Sequence, residues 1–110
     1  MSMEASIQTL IDKFHRKMDK DERAKEEIMP LSKTINIDLS TEHYSMRLEN
    51  ARIEDFRPEM LSGADITLIS TPESLQGLID GTLRPMKAYI TKKISVKGNI
   101  QDLLFLKKFF

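Results

Sequence analysis

ADITLISTPESLQGLIDGTLRP, residues 64–85, changes its hydrophobic period half-way along, and that change decides the fold. From Ala64 to Ser70, Ile66 and Leu68 fall on one face and Asp65 and Thr67 on the other, the period-two pattern of a half-buried strand. Thr71-Pro72-Glu73 then opens a helix. The Thr hydroxyl can cap free amides, Pro is pre-set for the first helical position, and Glu suits the positive end of the helix dipole. Leu75, Leu78 and Ile79 recur at helical spacing, and Gly81 ends the helix as a residue able to take a left-handed cap.

Toward the C-terminus, Pro85 can open a second short helix bearing Met86, Tyr89 and Ile90. Lys93 to Lys97 follows as a strand burying Ile94 and Val96, and Gly98-Asn99 leads into a last helix with Asn99 as its cap. Toward the N-terminus, Arg52 to Arg57 reads as a strand, with Asn50-Ala51 as the hairpin turn before it. Tyr44, Met46 and Leu48 alternate with His43, Ser45, Arg47 and Glu49, and Ile35, Ile37 and Leu39 alternate with Thr34, Asn36, Asp38 and Ser40. Before them, Ile7, Leu10, Ile11, Phe14 and Met18 predict one amphipathic helix from Met3 to about Met29, ended by Pro30. Its second half reads as a solvated surface supported by Asp12/Arg16, Asp19/Arg23 and Asp21/Lys25 pairs. The expected architecture is α+β: a five-stranded, mostly antiparallel sheet with helices covering one face and the other face polar and wet.

The 110 residues fit a single domain, 1–110. Hydrophobic residues at 40% and charged residues at 31% describe a globular chain. Residues 1–12 lack a basic segment followed by an apolar run, so no secretory signal and a cytoplasmic location are expected. Cysteine is absent, which removes disulfides and thiolate chemistry. The formal charge is zero, giving the whole molecule no electrostatic reason to seek nucleic acid. Charge is uneven, however. Arg84 to the end carries seven Lys/Arg against one acid, whereas Leu31 to Leu83 carries four against nine. A cationic end of this kind invites transient contact with an anionic membrane surface.

The last helix holds the strongest functional signal. Ile100, Leu103, Leu104, Phe105, Leu106, Phe109 and Phe110 leave only Gln101, Asp102, Lys107 and Lys108 polar. A sheet covers a stripe of roughly 100° or somewhat more, so something else must cover the remainder: a bound apolar ligand, a partner, a bilayer or the first helix.

Ala64-Asp65-Ile66-Thr67-Leu68, the helix from Leu75 to Gly81 followed by Pro85, Ala88-Tyr89, and Lys93-Ile94-Ser95-Val96-Lys97-Gly98-Asn99 together resemble the signature of sterol carrier protein 2 domains. The resemblance covers roughly Ile35 to Phe110. Two positions depart from it: Lys92-Lys93 where members commonly have Gly-Lys, and Arg84-Pro85 where they commonly have Asn-Pro. The carboxyl end also lacks the Ser-Lys-Leu-like peroxisomal address of some members. The resemblance implies an SCP-2-like fold with a hydrophobic tunnel between sheet and helices that accepts an apolar lipid: a fatty acid, acyl-CoA, sterol-like or isoprenoid molecule. The residues expected to line it are Ile66 and Leu68 on the sheet, Leu75, Ile79, Leu83, Met86, Tyr89 and Ile90 on the covering helices, and Leu103, Leu106, Phe109 and Phe110 as a lid.

Signs of chemistry are weak. His15 and His43 lie on separate elements, and no HExxH, GxSxG, phosphate-loop or EF-hand spacing occurs. Neither catalysis, a metal nor a cofactor is expected. The alternative to lipid carriage is a protein–protein interaction domain that homodimerises through the apolar C-terminal helix.

Overall fold

Alternation along residues 33–57 becomes three strands in a computed structural model that describes residues 2–99 and 101–110, and for Asp102, Leu103, Leu104 and Leu106 the backbone alone. The strands β1 (Lys33–Asp38), β2 (His43–Glu49) and β3 (Arg52–Arg57) form an antiparallel meander. Asn50 and Ala51 turn the β2–β3 hairpin with φ of 52° and 58°, the positive pair that matches the twist of the strands on either side. β4 (Ile66–Ile69) lies parallel to β1, with Ile35 opposite Ile66, and β5 (Ser95–Lys97) closes the far edge antiparallel to β4. The strand order is β3-β2-β1-β4-β5, a mixed sheet in which only the β1–β4 pair is parallel.

Helix α1 (Glu4–Lys20) buries Ile7, Leu10, Ile11, Phe14 and Met18, the stripe its spacing predicts. They share a core with Ile35, Ile37, Leu39, Met46, Leu48, Ile66 and Leu68 from the inner face of the sheet. On α3 (Pro72–Asp80) the Thr71 hydroxyl accepts from the Ser74 amide at 3.1 Å, and Gly81 ends the helix at φ 81°. Helices α4 (Pro85–Ile90) and α5 (Asp102–Phe109) complete the chain.

Three expectations are corrected. The N-terminal segment is two helices, because Asp21 leaves the helical conformation (φ −117°, ψ 96°) and its carboxylate caps α2 (Glu22–Ile28), accepting from the Ala24 amide at 3.1 Å. The break removes Arg23 from the i,i+4 position of Asp19, which instead pairs with Arg52 on the hairpin at 3.4 Å. The last helix starts at Asp102 rather than directly after Asn99. The outer face of the sheet is also not uniformly wet. The Asn36 amide side chain holds the Leu61 backbone through both its amide and its carbonyl, each at 2.9 Å, so Asn36 is buried at 3% exposure under the β3–β4 connection.

Candidate functional site

A cleft of about 700 Å³ opens where the end of α1, the end of α2 and α5 converge. Ile28, Leu31 and Phe105 supply apolar wall. Ile28 closes α2, Pro30 forces the chain to turn there, and Leu31 continues the apolar surface on the far side of the turn. Lys17, Lys107, Lys108, Glu27 and Gln101 form the polar part of the lining.

Helix α5 is fixed behind this cleft by aromatic contacts. The Phe14 ring meets Phe105 edge-on at 6.1 Å and Phe109 at 5.4 Å, and Phe105 stacks on Phe109 at 5.5 Å. Such pairs add about 0.5–1.5 kcal/mol each beyond their buried area. At the rim, Lys108 forms an ion pair with Glu27, and the Lys17 ammonium donates to the Lys108 carbonyl at 3.4 Å. One apolar wall and a cationic rim therefore meet on the same helix.

The structure places the residues singled out from sequence in different surroundings. Ile66, Leu68 and Leu75 are at most 1% exposed and sit within the core. Ile79 and Leu83 are half-buried and pack against it. Met86, Tyr89 and Ile90 face solvent at 42%, 41% and 73% exposure. Phe109 is buried, Phe110 is half-buried with its ring 5.3 Å from that of Phe109, and the side chains of Leu103 and Leu106 lie outside the described residues. Sequence reasoning did not select Ile28, Leu31, Phe105 or the lysines as lining. The signal available for the first pair was an apolar residue on either side of Pro30.

The two histidines stay apart. His15 Nε2 accepts the Ile53 amide hydrogen at 2.9 Å, and burial, with the Arg52 guanidinium nearby, lowers its pKa from the ordinary 6.5. His43 Nε2 lies 3.3 Å from an Asp38 carboxylate oxygen. Tyr44 donates to the Glu42 carboxylate, which also accepts the Met3 amide hydrogen at 2.8 Å; these bonds hold the Glu42 pKa below 4.5 and tie the start of α1 to the sheet. Among the described residues no three His, Cys, Asp or Glu side chains gather as a metal site would require, and no helix is long and apolar enough to cross a membrane.

The model of the SCP-2 sterol transfer family matches residues 11–110. The chain belongs to that family. Solved structures agree on the fold. A UbiJ-SCP2 ubiquinone synthesis protein superposes with a TM-score of 0.68 at 15% identity, over 97% of this chain and 91% of that one. The palmitated SCP2L2 of Aedes aegypti superposes with a TM-score of 0.65 at 16% identity, over 93% and 91%. The stereoselective inverting sec-alkylsulfatase Pisa1 from Pseudomonas sp. gives a TM-score of 0.62 at 16% identity, over 76% of this chain but only 13% of the sulfatase. The SCP-2 fold thus also recurs as a small part of a longer enzyme. No curated protein matches the chain.

Proposed function

We propose that this SCP-2 domain binds an apolar lipid non-covalently in the cleft between α1, α2 and α5, and carries or presents it without chemistry of its own. The observation that carries this reading is the cleft itself. Its volume of about 700 Å³ falls within the range usual for small-molecule sites, roughly 300–1,000 Å³. Membership of a sterol transfer family and the palmitated state of the Aedes aegypti relative support the same ligand class. Burial of an acyl chain gains roughly 0.8 kcal/mol per methylene. Twelve methylenes would give about 10 kcal/mol before ordering costs, enough for micromolar affinity without a specific polar contact.

The arrangement selects for an amphiphile. Ile28, Leu31 and Phe105 offer the chain an apolar wall, while Lys17 and Lys107 stand where an anionic headgroup would emerge. Native mass spectrometry of the protein as isolated tests the proposal. An adduct of lipid mass, displaced by a fluorescent fatty acid and lost on filling the cleft with Leu31→Trp, is the expected result. A protein that stays free of ligand through delipidation and titration, with its fold intact by circular dichroism, removes it.

A further inference from the structure

Helix α4 carries its apolar side chains on the outside. Met86, Tyr89 and Ile90 are 42%, 41% and 73% exposed, and their i, i+3, i+4 spacing makes one continuous patch, while fully buried Ala88 takes the inward side. Between α4 and β5 lies an open depression of about 440 Å³ that Tyr89, Ile90, Lys92 and Val96 help to line. Arg84, Lys87, Lys92, Lys93 and Lys97, carried by α4, β5 and the chain beside them, are all exposed, and Lys92 lines the depression. Residues 81–101 contain no Asp or Glu. Among the described residues these five cations enter no ion pair, whereas Arg47, Arg52, Arg57 and Lys108 all do.

Exposed apolar side chains on a segment whose cations have no carboxylate partners match the requirements of a bilayer interface. The apolar side chains enter the headgroup–acyl boundary, and lysine stems lie along it with their ammonium groups at phosphate level. We infer that the α4–β5 face docks onto an anionic lipid bilayer. A second copy of the chain would bring the same cations face to face. A nucleic acid would satisfy the cations but leave Ile90 and Met86 against a hydrated phosphate backbone. Helix α4 packs against α5, which walls the cleft, so a docked membrane lies next to one wall of the cleft. Docking itself does not require the cleft to be filled.

Lys92 offers a clean probe. Its φ is 62°, a conformation that favours glycine, so Lys92→Gly removes a cation where glycine is the less strained residue.

The test is co-sedimentation of the purified full chain with phosphatidylcholine vesicles, with and without phosphatidylglycerol. Binding is expected only to the anionic vesicles and weakens with added salt. Lys92→Gly lowers the binding constant roughly fivefold, and Ile90→Ser lowers it roughly tenfold. Lys20→Gln with Lys25→Gln, which removes two cations on the α1–α2 side without adding acids, leaves it within roughly twofold. Equal binding to neutral vesicles, no binding, or a loss as large in the Lys20/Lys25 variant overturns the inference. So does a dimer, seen by light scattering, that Ile90→Ser dissociates without altering vesicle binding. Protein that is free of lipid by native mass spectrometry but still sediments with anionic vesicles supports docking while counting against the cleft proposal, so the two fail separately.

Discussion

Helices α1 and α4 carry apolar residues at the same spacing and dispose of them in opposite ways. On α1, Ile7, Leu10, Ile11, Phe14 and Met18 are at most 2% exposed; on α4, Met86, Tyr89 and Ile90 are 41% or more exposed. The difference is one of length and neighbours. Seventeen residues give α1 a seam long enough to span the sheet, and its other side is polar apart from Ala5. Helix α4 has six residues, of which Ala88 alone is buried. Periodicity defines a face; which way the face points depends on what the rest of the chain can bring against it.

The largest effect is expected where that contrast is sharpest. Phe14 is 1% exposed and touches Phe105 and Phe109, so Phe14→Ala should cost about 3–5 kcal/mol in urea unfolding and loosen α5 with it. Ile90→Ala should change stability by no more than about 0.5 kcal/mol. Comparable losses at both sites would mean that α4 is covered in solution.

Next in size is Asn36. Its side chain replaces a missing strand partner for Leu61, and Asn36→Ala strands a backbone amide and a carbonyl together. A loss of about 1–3 kcal/mol is expected, with faster hydrogen exchange at the Leu61 amide. Unchanged exchange there would show that the β3–β4 connection is held by something else. Asp21→Ala follows, at about 1 kcal/mol for a lost cap, and Asp21→Ser should restore most of it.

These residues also mark how far the sequence was legible. The Asn50-Ala51 turn, the Thr71 cap and the Gly81 terminus each follow from local backbone chemistry and stand as read. Asp21 was ambiguous because an Asp four residues before a Lys suits an exposed helix surface as well as a cap; only the path of the chain into β1 decides between them. The burial of Asn36 depends on a segment some 25 positions away and leaves no periodic trace. At the candidate site, the apolar excess of α5 was visible in the sequence. The opposing wall of Ile28 and Leu31 was not, since it arises from the angle between α1 and α2, which no spacing encodes. The turn at Lys92 is a further case: a lysine holds the left-handed conformation that a glycine would favour, so a departure in residue type left the backbone geometry in place.

The smallest effect expected is the pH response of His15, which lies on α1 like Phe14 but faces the hairpin. Its Nε2 accepts the Ile53 amide hydrogen, which requires the neutral ring. Burial, the largest influence, and then Arg52 lower its pKa from 6.5, while the Asp12 and Asp19 carboxylates act in the opposite direction. With the folded value depressed, the unfolded chain takes up the proton first as pH falls. The contribution is therefore fully present above 6.5 and is lost as pH falls below that value toward the lower folded pKa. Urea midpoints on either side of that window should show the native protein losing stability on acidification, and His15→Gln, whose side-chain carbonyl can still accept from Ile53, losing less. An identical acid response in both proteins would place the titration elsewhere and leave His15 a packing residue, as Phe14 beside it is.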